Sequence, residues 1–485
     1  MARLEPLGQP SRVTLSPAAC AADLGDGSER GEYVNQDYLL RVLGRPHRSI
    51  NLMYCYYPLD KGWPVRASVK FARTADFAWA YPYDDYFPYT GGPPSRGRER
   101  TKGEPFRQIR DIRRHGQDVT LTLTMDCKVP DSHIRWIARE LKPFGRIRIR
   151  LNHEADGNWF AFNKRYDYRT VGKFFVKFTG IVKSVAPDIK MVCCWGSVDW
   201  TTGGLSHADE LAPMLAAADV WAIDKYLALH WGWPHDLCEI DTKGPWKHEG
   251  LDLVWKEMYI IYEDFVRRSG QRKPVEICEF NCDGDVEGGL SQANELRRWY
   301  ERVRAKRPEF LRAITYYQFR DRGRLGLEQE DPNNPAVGVA TPFLAMYRDL
   351  IRDPYFLPGE KWTRLAGNAR LTMDWRGSDD SDGLGWKVRV KGVPSFLELK
   401  LPKEANLIVK VGAEWFYKRS GTEWVDATSA AAGMRRGGTL PIVVFAPPAD
   451  GTNGGAPSVK SRLARPPELR LRYPVSARSI PEPLG

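Results

Sequence analysis

Between residues 49 and 319, short apolar runs alternate with segments of helical period, and this alternation constrains the fold more than any other feature. The runs 49–57, 76–81, 118–125, 146–153, 189–196, 219–226, 275–281 and 312–319 are rich in Val, Ile and aromatic residues. Several are unbroken by polar residues, as suits parallel strands covered on both faces. Between them, Ile134, Ile137, Ala138 and Leu141 form one helical stripe, opened by Pro130 and Asp131. Val171, Phe174, Phe175, Phe178 and Val182 form a second, and Leu251, Val254, Trp255, Met258, Ile261, Tyr262 and Phe265 a third, stopped by Gly270 and Pro274. Such stripes are core-facing helix faces. Strands alternating with helices over about 300 residues predict an α/β chain folded as a (β/α)₈ barrel rather than a doubly wound sheet.

Past Trp362 the period changes to two. "WKVRVKG", "FLELKLP", "ANLIVKVG" and "PIVVFAP" are separated by Gly, Pro, Asp and Asn, which predicts a small all-β sandwich. The expected division is a barrel over 1–360 and a β-sandwich domain over 361–485. The formal charge is +11, and from Lys361 onward 20 Lys and Arg stand against 12 Asp and Glu. That excess serves solubility or attracts a polyanion.

Other classes lose support. No G-x-G-x-x-G follows the first strand run and no phosphate-loop motif is present, so no nucleotide cofactor is expected. The eight cysteines have no C-x-x-C pairing and mostly sit in apolar runs; they read as reduced core residues, with no metal site. No apolar leader follows Met1 and no apolar run approaches a membrane span, so no membrane partner is expected and the compartment stays open.

In a barrel, function gathers where strands end. The fourth strand run ends in Glu154, preceded by His153. The sixth ends in Asp224 and Tyr226, the seventh in Glu279, and the eighth in Tyr316, Tyr317 and Gln318. Two glutamates on different strand ends suit the paired carboxylates of a glycosidase, one protonated as general acid and one ionised. Metal binding at His153 and Glu154 fails on spacing, because no second His follows three or four residues on.

The stretch "RLNHEADGNWFAF" resembles the fourth-strand motif of family-26 glycoside hydrolases, the β-mannanase type within the retaining (β/α)₈ clan. Arg150, His153, Glu154, Asp156, Gly157, Trp159 and Phe160 fall in register with it. "ADVWAIDKY" is similar to the sixth-strand segment, and "EICEF" stands where the seventh-strand nucleophile belongs. The resemblance spans roughly residues 45–350 in strand order, with close matching confined to these three segments. It implies Glu154 as acid/base and Glu279 as nucleophile. It also implies Tyr226 as hydrogen-bond donor to Glu279, His153 in the sugar subsite and Trp159 stacked on a sugar ring. The chain departs from that pattern at Ala161 and Phe162, and in "YYQF" on the eighth strand, where the family carries tryptophans. These differences bear on which sugar is bound.

Arg150 is expected chiefly to neutralise buried carboxylates, and Asp224 to act as a structural hydrogen-bonder; both join the substrate-binding set, as does Tyr317 at the end of the eighth strand run. Aromatic loops complete it. Tyr83 lies in "YPYDDYFPY" after the second strand run, Trp195 and Trp200 follow the fifth, and Trp231 and Trp233 lie in "LHWGWPH" after the sixth. Flat rings cover the apolar C–H faces of sugars while polar neighbours take the hydroxyls. The expected partner is therefore a polysaccharide or oligosaccharide, with an acidic one favoured if the basic segment 95–115 contacts it. That segment is read as a solvated loop, too poor in aromatics for a single-strand nucleic-acid platform. The rival class is a non-catalytic glycan-binding or virion/surface assembly protein on a hydrolase-like barrel.

Overall fold

The computed structural model describes residues 4–26, 33–61, 63, 86–93, 102–199, 201–228, 250–284, 288–321, 324–367, 370–432 and 438–474. Eight parallel strands close on themselves: β1 (Ala21–Gly25), β2 (Ser49–Tyr56), β3 (Asp118–Met125), β4 (Ile147–Leu151), β5 (Lys190–Cys194), β6 (Val220–Tyr226), β7 (Val275–Asn281) and β8 (Leu311–Tyr316). Closure comes from β1, which sets Ala21 beside Ala313 of β8 and Leu24 beside Ile50 of β2. Helices α1 (Gln36–Leu43), α2 (Phe106–Arg114), α3 (Asp131–Leu141), α4 (Tyr168–Val185), α5 (Gly250–Ser269), α6 (Gly289–Lys306) and α7 (Pro342–Leu350) intervene along the chain or follow β8. Asn35 and Asp167 open α1 and α4 by accepting from the backbone N–H groups of Tyr38 and Thr170, as N-caps do. The stripes on α3, α4 and α5 are buried along those faces, apart from the half-buried Trp255.

Two expectations need amending. The run 76–81 lies outside the described residues, and the barrel takes Ala21–Gly25 as its first strand. With only five residues and an aspartate at its centre, that strand carries too little apolar pattern to stand out. The basic segment 95–115 is no simple solvated loop: Phe106–Arg114 is helix α2, and it buries Phe106, Ile109, Ile112 and Arg113. The guanidinium of Arg113 meets Asp118 at 2.5 Å.

The alternation in "RIRIR" follows from barrel geometry. Successive side chains of a strand face opposite ways, so Ile147, Ile149 and Leu151 pack under the helices while Arg148 and Arg150 enter the lumen. Arg148 reaches Glu276 of β7 at 2.6 Å, and Arg48 joins Glu276 at 3.0 Å and also pairs with Asp23 of β1. Residues of β1, β4 and β7 meet this way only through the barrel interior. A charged layer thus sits beneath the carboxylates carried by the strand ends.

Apart from the parallel pairings of Phe87–Pro88 and Arg320–Asp321, the remaining described strands pair antiparallel. Ser11–Ser16 pairs with Gly359–Arg364 and Asp382–Val390, and Leu4–Pro6 pairs with Glu468–Arg472. The first two strands of the chain thus lie in sheets with the last ones. Trp386, Leu397, Leu399, Leu407, Leu440 and Leu469, drawn from both sheets, bury one common core. Among the described residues, no helix is long and apolar enough to cross a membrane.

Candidate active site

The strand ends of β4, β6 and β7 carry the carboxylates of the site. Past β4 the chain turns sharply: Asn152 and Glu154 both have left-handed backbones, with φ of 45° and 48°. Asn152 fixes this turn by accepting from the N–H of Met125 at 2.7 Å and donating to its carbonyl at 3.2 Å. Such strain in non-glycine residues persists only where the surroundings impose it. Trp159 donates from Nε1 to Glu154 Oε2 at 2.7 Å. Its ring lies over Gly157, where a Cβ would come within 2.5 Å of the indole. Asp156 accepts from the N–H groups of Gly196 and Ser197 at 3.0 and 2.5 Å, tying this turn to the loop after β5.

Glu279 is held from two sides. Tyr226 Oη donates to its Oε2 at 2.6 Å, and Arg150 Nη2 donates to its Oε1. Arg150 has no exposed side-chain surface. It donates to both oxygens of Asp224 at 2.7 Å, and its Nε donates to Thr122 Oγ1 at 2.8 Å. A bulge between Ile223 and Asp224 puts Asp224 in register with Glu279. Arg150 is therefore the counter-ion of two carboxylates, and its burial leaves no surface for the substrate contact expected of it.

These neighbours raise the protonation of Glu154 and Asp224. Burial first, and then the charges of Asp224 and Glu279, raise the Glu154 carboxyl well above the usual carboxylate range, opposed by the Trp159 bond and Arg150. Burial also lifts Asp224 to about 7 against the pull of Arg150, with Glu279 adding to the rise. His153 is buried, and desolvation together with Arg150 pushes its pKa well down, keeping the ring neutral. Its Nε2 lies 3.0 Å from Tyr86 Oη and 3.6 Å from Glu279 Oε1. Tyr86 reaches the site because Phe87–Pro88 runs parallel to Tyr54–Cys55 at the end of β2. The aromatic loop pointed to this region, but no spacing in the sequence singled out Tyr86, Thr122 or Asn152.

Ligand atoms of His153, Asp224 and Glu279 come within 4.8 Å of one another, a group that could hold a metal ion. Both carboxylates already share the guanidinium of Arg150, which supplies the positive charge there.

Other expected residues part company. Trp195 is buried in the core, its ring 4.8 Å from that of Phe265 on α5. It corrects the expectation of a cleft tryptophan: Cys194, its neighbour, faces Arg150 in the lumen, so period two turns Trp195 towards the helices. Tyr317 follows β8 and meets Tyr226 edge-on, with ring centroids 6.3 Å apart. Tyr83, Trp200, Trp231 and Trp233 lie outside the described residues.

No protein-family model matches the chain, and no curated protein does. Solved structures with a similar fold include a family 39 glycoside hydrolase from the gut symbiont Bacteroides cellulosilyticus, at 13% identity over 88% of this chain and 80% of that one, with a TM-score of 0.42. A family-26 β-mannanase from Bacteroides ovatus is similar at 12% identity over 70% and 90%, with a TM-score of 0.41. An endo-β-1,4-mannanase double mutant of Cellulomonas fimi is similar at 11% identity over 92% and 94%, also with a TM-score of 0.41. At these values the likeness assigns no activity.

Proposed function

We propose that the chain is a retaining endo-acting glycoside hydrolase that cleaves a polysaccharide by double displacement. One observation carries the reading. The carboxyl of Glu154 is raised well above the usual range, while Glu279 accepts one donor on each oxygen, from Arg150 and Tyr226. An acid kept protonated by its surroundings, beside a carboxylate held by two donors, supplies the acid and the nucleophile of such a reaction. Glu154 gives its proton to the leaving oxygen as Glu279 attacks the anomeric carbon and the glycosidic C–O bond breaks. Glu154, now a carboxylate, then takes a proton from water, and the water oxygen displaces Glu279 from the sugar. Neutral His153 and half-buried Trp159 border the sugar.

On this reading the chain is of the family-26 type, as its fourth-strand motif suggests. The antiparallel region forms a sandwich, with the division near residue 360 crossed by the first two strands. The experiment is incubation with a panel of neutral and acidic polysaccharides, followed by sizing of the products. Shortened chains from the wild type and none from Glu279→Ala support the proposal. Glycan binding without new reducing ends would favour the non-catalytic assembly protein, and salt-sensitive DNA binding without glycan binding would favour a nucleic-acid partner.

A further inference from the structure

A second cavity, of about 480 Å³, opens where the barrel meets the antiparallel region, between α1 and the strands Glu414–Lys418 and Trp424–Asp426. Small-ligand sites span ~300–1,000 Å³. Gly44 borders it just before β2 begins, so it lies at the barrel end opposite the strand-end carboxylates. Its walls carry the rings of Trp415, Phe416, Tyr417 and Trp424. Trp424 is 38% exposed although it sits in a strand. Among the described residues, that strand is the edge of its sheet, paired to Phe396–Lys400 alone. Arg470 lies 4.6 Å from the ring centroid and Lys400 lies 5.7 Å from it. Such cation–π contacts hold the ring in place without covering it. The facing wall is equally fixed. Trp415 donates its N–H to Gly44 O at 3.1 Å, and the ring of Tyr417 packs on His115 with centroids 3.9 Å apart. The aromatic walls are therefore set before any ligand arrives, which lowers the cost of binding.

We propose that this cavity is a second glycan site, which holds a neutral segment of a polysaccharide away from Glu154 and Glu279. Flat rings cover the apolar C–H faces of a sugar, and carboxylates accept from its hydroxyls. Asp426 uses Oδ1 for the N–H and hydroxyl of Thr428, at 3.0 and 2.6 Å, which leaves Oδ2 for a ligand. Glu414 is steadied by Arg352 at 3.1 Å and Asp37 by His115 at 3.0 Å. The ionic side chains lining the cavity are Asp37, Glu414 and Asp426 against Arg41. Three carboxylates against one cation repel a polyanion, so the ligand is a neutral glycan rather than an acidic one or a nucleic acid. The proposal goes beyond the glycosidase reading and does not depend on it.

The test is affinity electrophoresis of the full chain in native gels cast with galactomannan, xyloglucan, mixed-linkage β-glucan or arabinoxylan, and with alginate as the polyanion. Glu279→Ala serves as the parent, so that the polysaccharide is not cut during the run. At least one neutral polysaccharide should retard the parent. Adding Trp424→Ala should weaken that retardation about tenfold in apparent Kd, the loss of one stacked ring. Adding Ser429→Trp, which fills the cavity from an exposed position on its wall, should abolish it. Thermal melts show which variants fold as the parent does, and a folded one decides the matter if the other fails. In the background that keeps Glu279, both changes should leave kcat/KM on an aryl glycoside at the wild-type value. No retardation by any neutral polysaccharide, retardation unchanged in a folded variant, or retardation by alginate alone overturns the proposal. Failure of the wild type to hydrolyse any glycan, with retardation that still depends on Trp424, removes the glycosidase reading and leaves this one standing.

Discussion

Tyr226 Oη donates to Glu279 Oε2 at 2.6 Å, from the end of the strand adjacent to the one that carries the glutamate. The bond orients the carboxylate. A hydrogen bond to a charged group contributes about 1.5–3 kcal/mol. Tyr226→Phe is therefore expected to lower kcat by about 10–100-fold with KM little changed, and steady-state kinetics on an aryl glycoside would measure it. Wild-type kcat in the variant would mean that Glu279 needs no such partner.

On the proposed mechanism, Glu154 sets the alkaline side of the pH profile. Its pKa is raised in the folded chain, so the general acid is present at low pH and lost as pH rises through that raised value. Stability follows the same sign. The folded state holds this proton more tightly than the unfolded chain, whose glutamate titrates near ~4.3. Stability from this group is thus complete below that value and declines as pH rises towards the folded pKa. Glu154→Gln should match the wild type in thermal melts near pH 4 and exceed it near pH 8. It should also lose the alkaline limb of kcat on aryl glycosides.

Arg150 is the shared counter-ion of Asp224 and Glu279. Removing one partner of a buried ion pair costs about 3–5 kcal/mol, because the remaining charges keep their desolvation cost. Arg150→Met should lower the denaturation midpoint accordingly at pH 8. The loss should shrink at pH 5, where protonation of Asp224, which titrates near about 7 in the intact site, relieves the repulsion.

The lower layer titrates the other way. Burial works to raise Glu276, but Arg148 and Arg48 outweigh it and hold this carboxyl at about 2. Its contribution to stability is present above the unfolded value of ~4.3 and disappears as pH falls through about 2. Glu276→Gln should flatten acid unfolding in that window and destabilise the protein near neutrality, as urea titrations at pH 3 and pH 7 would reveal.

Trp195 and Trp159 should behave oppositely. Trp195 packs on Phe265 in the core, so Trp195→Phe should lower stability by about 1–3 kcal/mol and leave kcat/KM near the wild type. Trp159 bonds to Glu154, so Trp159→Phe should shift the alkaline limb upward, since the bond favours the ionised acid.

These contrasts mark what the sequence makes legible. The strand runs over β3 and β7 coincide with the observed strands, and the ends of β4, β6 and β7 bring Glu154, Asp224, Tyr226 and Glu279 into one cluster. The local pattern carried that information because strand period and strand ends are local properties. Trp195 was misplaced although the signal was available: Cys194 and Trp195 must face opposite ways. Ala21–Gly25 was missed because a short strand with Asp23 at its centre needs Arg48 to explain it, and that pairing is tertiary. The joining of Leu4–Pro6 and Ser11–Ser16 to strands near the other end of the chain leaves no local trace at all. The same holds for Tyr86, whose contact with His153 depends on where a loop returns.

On the proposed mechanism, Glu279 becomes covalently bound to the sugar. The most direct measurement is mass spectrometry of the protein after incubation with a 2-deoxy-2-fluoro glycosyl fluoride of the sugar it hydrolyses, followed by peptide mapping. One added glycosyl unit is expected on the peptide that contains Glu279, absent from Glu279→Ala. Steady hydrolysis with no adduct, or an adduct on another carboxylate, would contradict it.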